Sequence, residues 1–219
     1  DKYVIKQEAA KKYLANASYY HYKHVDKELK TDKFQEDYQK NNIIMVGNTG
    51  VGKTLLLKRL ARILGVPMVK GDATKFSKTG YVGDDVENLV RDLVREANGN
   101  IKLAQYGMIF VDEIDKIAAD KSIIGRDITG TGVQTELLKP MEETEVELIR
   151  TSDPISMMQE LMRGGGDKPP AINTRNILFI VGGAFPGLVD IIKKRMHQQR
   201  VGFKSEVVSE GERNTYLPN

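Results

Sequence analysis

An α/β domain with a parallel central sheet flanked by helices is the fold class that the sequence predicts, and three observations carry it. Short apolar runs with strand character recur at Ile43–Val46, Met108–Val111 and Ile177–Val181. Amphipathic helical stretches stand between these runs, and strands separated by helices pair in parallel because a crossover is needed. The runs are apolar on both alternations, as strands covered on two faces are. The 219 residues suffice for a sizeable core.

Residues 7–24 read as a helix, with Ala9, Ala10, Tyr13, Leu14, Ala17 and Tyr20 at helical spacing. Tyr3, Tyr13, Tyr19, Tyr20 and Tyr22 read as its seam against the core. Nine of the fifteen residues in 26–40 are charged, which predicts a solvated connector. Ile43–Val46 follows as a buried strand, then a helix over 53–64 whose inner side is Leu56, Leu57, Leu60, Ile63 and Leu64. Gly65 and Pro67 stop that helix.

Val66–Val69 is a second, short strand. A helix spans 84–97 on Val86, Leu89, Val90, Leu93, Val94 and Ala97; Asp84 and Glu87 form its capping box and Asn98-Gly99 its stop. The strand Met108–Val111, a helix over 132–139, a short helix over 156–163 and the strand Ile177–Val181 complete the order. Gly164-Gly165-Gly166 and Pro169-Pro170 mark a mobile loop.

Composition narrows the function classes. Lys plus Arg number 33 and Asp plus Glu 30, a net charge of +3, too small to argue for nucleic acid. No stretch reaches the ~18 apolar residues of a membrane span. With no Cys there are no disulfides, Cys-based zinc sites or thiol nucleophiles. His21 and His24 stand three apart on a helix, but no third ligand is suggested nearby, so a metal site is not the reading there. The chain opens at Asp1 rather than Met, which reads as a piece of a longer protein.

Two motifs carry chemistry. Gly47-Asn48-Thr49-Gly50-Val51-Gly52-Lys53-Thr54, with the adjoining Leu55, fits a phosphate-binding loop between a strand and a helix. Its glycines let backbone N–H groups turn toward phosphate oxygens, and the helix start adds its positive dipole end. Lys53 is placed to reach the β- and γ-phosphates, and the Thr54 hydroxyl to ligate Mg²⁺. The order of glycines is not that of a dinucleotide fingerprint. Downstream, Met108–Val111 ends in Asp112-Glu113, carboxylates at the strand end that faces a nucleotide crevice. Asp112 is read as orienting the Mg²⁺ shell through water, and Glu113 as the base that polarises the attacking water.

Several segments together resemble one family. The loop Gly47–Thr54, Gly80-Tyr81-Val82-Gly83, Asp112-Glu113-Ile114-Asp115-Lys116-Ile117 and Gly182-Gly183-Ala184-Phe185 are similar to those of AAA+ protein unfoldases of the ClpX type. Arg126-Asp127, Gly132-Val133-Gln134, Leu137-Leu138 and the opening Tyr3-Val4-Ile5-Lys6-Gln7 fit the same pattern, with Lys6 where the family usually has Gly. HslU is a close cousin, and Ala73–Phe76 looks like it; Gly182-Gly183 and Val201-Gly202-Phe203 favour ClpX.

The resemblance implies a P-loop NTPase, the large AAA+ domain over residues 1–219, within a homo-hexameric ring that hydrolyses ATP to ADP and threads unfolded or tagged proteins through its axis. It implies that Val4 and Ile5 lie against adenine and that Tyr81 and Val82 form a pore loop gripping the polypeptide. Residues 151–174 take the place of a second, mobile pore loop, with Ile155, Met158 and Met162 at helical spacing; a helix packed on the domain is an equal reading of that spacing, and the family's basic tripeptide is not evident. Val201, Gly202 and Phe203 would dock a ClpP-type peptidase. The implied partners include no nucleic acid and no membrane, and the implied compartment is the bacterial cytoplasm or the mitochondrial matrix. The family's zinc-binding domain, small helical domain and arginine finger are expected outside this stretch. The rival readings are an HslU-like unfoldase and an AAA+ motor or loader on nucleic acid; the latter does not explain Gly80–Gly83.

Overall fold

The computed structural model describes residues 4–31, 40–77, 86–117, 137–148 and 170–198. They fall into two units divided after Ala184. The first unit contains α1 (Glu8–Thr31), β1 (Ile43–Val46), α2 (Lys53–Leu64), β2 (Met68–Asp72), α3 (Ala73–Ser77), α4 (Val86–Glu96), α5 (Ile101–Ala104) and β3 (Met108–Asp112). A 3-10 turn (Ile114–Ile117), a helical stretch over 137–142, β4 (Glu145–Glu147), β5 (Ala171–Asn173) and β6 (Leu178–Gly183) follow. The second unit holds one described helix, α6 (Leu188–Gln198).

Four strands form one parallel sheet in the order β1-β6-β3-β2. The chain crosses from β1 to β2, steps back to β3, and inserts β6 between β3 and β1. Alternation along the two central strands divides the core into two layers. Ile109, Val111, Phe179 and Val181 face a cluster completed by Val86, Leu89, Val90 and Leu93 of α4. Met108, Phe110, Leu178 and Ile180 face the opposite cluster, with Leu56, Leu57 and Ala61 of α2 and Leu14 of α1. Phe110, Phe179, Leu57 and Leu93 are fully buried, each contributing about 1.5–3 kcal/mol by leaving water. The α/β class and its parallel sheet are thus as expected.

Element stops follow the local chemistry. α2 ends on Gly65 at φ 71, and α4 ends at Asn98 and Gly99 with φ 53 and 80, left-handed positions where the last carbonyls are capped. Gly99 N donates to Val94 O at 2.9 Å. The capping-box residue Asp84, like 132–136 and 156–163, lies outside the described residues.

Several expectations are corrected. α1 runs through Thr31, so the connector does not begin at 26; a Lys30–Asp26 pair at 2.6 Å, one turn apart, supports this last turn. Its buried line is Leu14, Ser18, His21 and Val25, while Tyr13, Tyr19 and Tyr20 are exposed. Tyr13, Tyr19 and Tyr20 are therefore not a seam against the core, Tyr3 lies outside the described residues, and Tyr22 turns inward, its hydroxyl donating to Tyr106 O at 3.1 Å. Ile44 and Val46 are exposed, because β1 ends the described sheet and only Ile43 and Met45 pack on the core. On α2 the inward set is Leu56, Leu57 and Ala61, with Leu60 partly buried against the same cluster, whereas Ile63 and Leu64 are exposed. The segment 151–174 includes strand β5, which pairs antiparallel with β4 through Glu145–Asn173 and Glu147–Ala171.

Candidate functional site

The carboxyl ends of β1, β3 and β6 meet at one edge of the sheet, where a parallel α/β fold binds ligands. β1 runs into Gly47, whose N–H donates to Gly183 O at the end of β6 (3.1 Å). The loop then turns through Gly50 (φ 85) and Gly52 (φ 94) into α2. At both glycines an added side chain would meet open space but a strained backbone, so conformation and not room demands glycine there. Lys53 Nζ folds back onto its own loop, donating to Gly47 O at 2.5 Å and Asn48 O at 3.1 Å.

β3 delivers the acids. Asp112 Oδ1 accepts the Glu113 N–H at 3.0 Å, and Glu113 holds φ 58, a left-handed conformation that costs a non-glycine residue about 1–2 kcal/mol. The 3-10 turn brings Asp115 back to the same edge, where Oδ1 accepts from Ala184 N at 3.2 Å. Asp115 Oδ2 is buried without a hydrogen-bond partner, with Lys116 Nζ 3.9 Å away. Gly182 is needed for close approach: a Cβ there would lie 2.7 Å from the Phe110 ring and 3.6 Å from Asp112 Oδ1.

These pieces enclose a cleft of about 320 Å³ lined by Thr49, Gly50, Gly52, Lys53, Thr54, Leu55, Asp112, Glu113, Asp115, Lys116, Gly183 and Ala184. Its size lies in the range of small-molecule sites. One wall is glycine-rich backbone at a helix start with an ammonium and a hydroxyl. The other carries three carboxylates, one with an unsatisfied buried oxygen. That donor set fits a polyphosphate on the first wall and a hard divalent cation between the walls. No group of His, Cys, Asp and Glu among the described residues makes a cation site on its own.

Of the residues predicted from sequence, Thr49, Gly50, Gly52, Lys53, Thr54, Leu55, Asp112 and Glu113 line the cleft. Gly47 and Asn48 act through the carbonyls that hold Lys53, and Val51 is exposed with its carbonyl accepting from Gln7 Nε2 at 2.6 Å. Val4 packs against the α2-side cluster and Ile5 is exposed; neither lines the cleft. Lys6, in the family's glycine position, sits at φ 63. Tyr81, Val82, Val201, Gly202 and Phe203 lie outside the described residues. Sequence reasoning missed Asp115, Lys116, Gly183 and Ala184 as cleft residues, although Asp115 follows Asp112 by one tight turn. It also missed Gln7 and Lys70.

A family model described as "AAA domain (Cdc48 subfamily)" matches residues 38–218. The chain belongs to this AAA domain family. Within it the chain is ClpX-like. It is 47% identical over 212 residues to the "ATP-dependent Clp protease ATP-binding subunit ClpX" of Borrelia duttonii, covering 94% of this chain and 46% of that protein. The protein of the same name in Borrelia recurrentis matches equally, and "ClpX 3" of Methylococcus capsulatus is 43% identical over 217 residues, 94% of this chain and 48% of that one. The chain thus spans about half the length of the curated relatives it matches. An AAA domain is a nucleotide-binding ATPase module, and the loop and acid pair are its Walker A and Walker B motifs.

Elsewhere in the AAA domain, polar side chains are used structurally. His21 Nε2 donates to Asn176 O at 3.0 Å, and burial pushes its pKa down to about 4. Lys40 donates to Thr174 O (3.0 Å) and Pro140 O (3.4 Å), with its ammonium 4.8 Å from the Phe179 ring centre. Burial lowers the Lys40 pKa to about 7.

Proposed function

We propose that this AAA domain is the ATP-hydrolysing part of a ClpX-like protein unfoldase, one subunit of a homo-hexameric ring that feeds a ClpP-type peptidase. The observation that carries the reading is the convergence of Lys53, Thr54, Asp112 and Glu113 on one cleft. In this reading Gly47–Thr54 binds the phosphates of ATP or ADP. Lys53 exchanges two neutral carbonyl partners for charged phosphate oxygens, a gain in hydrogen-bond strength. Thr54 and, through water, Asp112 would hold Mg²⁺, which would supply charge neutralisation at the phosphates. Glu113 polarises the attacking water. Val4 and Ile5, tied to the loop through Gln7, lie against adenine.

Tyr81 and Val82 grip the translocating polypeptide by sequence-blind contact, and Val201, Gly202 and Phe203 dock the peptidase. The substrates are unfolded or tagged proteins, and the setting is the bacterial cytoplasm or the mitochondrial matrix. An arginine supplied from a neighbouring subunit is worth orders of magnitude in such sites, so the 219 residues alone should hydrolyse ATP weakly.

The test is ATP-dependent unfolding of a tagged fluorescent protein by the full-length parent, with and without a ClpP-type peptidase. Tyr81→Ala should keep most ATPase and lose unfolding. Phe203→Ala should unfold but not degrade. Glu113→Gln should bind ATP and lose at least 100-fold in turnover. Wild-type unfolding by Tyr81→Ala would remove the pore-grip assignment, and wild-type turnover by Glu113→Gln would remove the base.

A further inference from the structure

Asp112 is held from behind by a residue that no motif contains. Lys70 stands on β2, in register with Phe110 of β3, two residues short of the Asp72–Asp112 pairing. Its ammonium reaches diagonally along the sheet to Asp112 Oδ2 at 2.8 Å and lies 5.9 Å from the Phe110 ring centre. Lys70 is not part of the cleft wall, whereas Asp112 is. Both oxygens of this carboxylate are therefore engaged, Oδ1 by the Glu113 N–H and Oδ2 by Lys70.

We propose that Lys70 is a positioning residue that acts through Asp112 and lowers the affinity of the nucleotide site for Mg²⁺. The inference rests on the reading of Asp112 as the carboxylate that faces the metal shell. An ammonium in contact with that carboxylate draws on the same negative potential that a dication in the cleft requires. The pair also fixes the plane of the carboxylate, so Asp112 cannot turn its Oδ2 toward the cleft without giving up Lys70. A lysine on an outer strand also discourages edge-to-edge pairing, but that role needs no partner and does not explain the 2.8 Å contact. The Lys70 side chain is 41% exposed, so its substitution leaves the core untouched.

The experiment measures the Mg²⁺ concentration at the midpoint of the rise in affinity for a fluorescent ADP analogue, using the 219-residue chain. Lys70→Met should lower the midpoint by about 3- to 5-fold, the upper range for one partly exposed ion pair. Lys70→Gln should do the same, and Lys70→Arg should stay within about twofold of wild type because the charge is kept. Affinity for the analogue in EDTA should be the same in all four proteins, a result that a folding defect would not produce. An unchanged or raised midpoint in both neutral variants, or a drop in Lys70→Arg as large as in Lys70→Met, overturns the proposal. Asp112→Asn separates the two levels. If it raises the midpoint while the Lys70 variants do nothing, the Lys70 inference alone fails. If it leaves the midpoint unchanged, the metal role of Asp112 fails and the Lys70 inference with it.

Discussion

Where β3 and β6 begin, three polar side chains sent inward by α1 and the segment before β1 end on backbone carbonyls, while the neutral oxygens Ser18 Oγ, Asn42 Oδ1 and Asn176 Oδ1 are buried without a hydrogen-bond partner among the described residues. His21 meets Asn176, Tyr22 meets Tyr106, and Lys40 meets Thr174. Where the same strands finish, the groups are left differently. Among the described residues Lys53 donates to its own loop, the carboxylate oxygen Asp115 Oδ2 is buried with no hydrogen-bond partner, and Glu113 holds a left-handed backbone. Lys6 and Gln7, beside the phosphate loop, have φ of 63 and 58. One end of the sheet spends its polar groups on closing the fold. The other keeps donors, acceptors and backbone strain where a ligand can use them.

The largest test of this contrast is Lys53→Ala. It should abolish ATP binding, a loss of at least 100-fold in a calorimetric titration, with thermal stability nearly unchanged. Unchanged ATP affinity would mean that the loop is an ordinary turn. A stability loss of several kcal/mol would mean that the two ends are not divided as described.

The next effect belongs to the closed end. His21 has a folded pKa of about 4 against an ordinary 6.5, because burial disfavours its charge. The unfolded chain therefore binds the proton first. The stability from a neutral His21 is complete above pH 6.5 and is lost as pH falls toward 4, by about 3 kcal/mol in all. Urea midpoints measured across that range should fall, and His21→Gln, neutral throughout, should flatten the slope. An equal slope in the variant would assign the pH dependence to other groups.

The smallest effect concerns strain at the open end. Lys6→Gly should raise stability, or leave it level, by at most about 1 kcal/mol, since glycine adopts φ 63 freely but loses more chain entropy on folding. A clear destabilisation would show that the Lys6 side chain contributes more than its backbone costs.

Local features were legible. β1 and α2 have the predicted bounds, and the stops at Gly65 and at Asn98-Gly99 occur where expected, because a cap needs only its neighbours in the chain. α4 buries the predicted apolar face, since a strong 3.6-residue period leaves one stripe to bury. The face of α1 was misread because its buried line includes Ser18 and His21, polar residues whose burial is settled by what they meet. His21 meets a carbonyl 155 residues away. The β4–β5 ladder was missed for a related reason: strands of three residues, Glu145–Glu147 and Ala171–Asn173, are too short to show a period.

The sequence alone determined the chemistry of the cleft: a phosphate loop between strand and helix, and two carboxylates at a strand end. These depend on contiguous residues whose backbone needs are local. Only the tertiary structure decided how the pieces face one another. Inserting β6 between β1 and β3 sets Ala184 N against Asp115, 69 residues earlier in the chain, and Gly183 O against Gly47. The β2–β3 register places Lys70 on Asp112. Register and crossover are long-range choices made by the whole core, and a linear pattern does not record them.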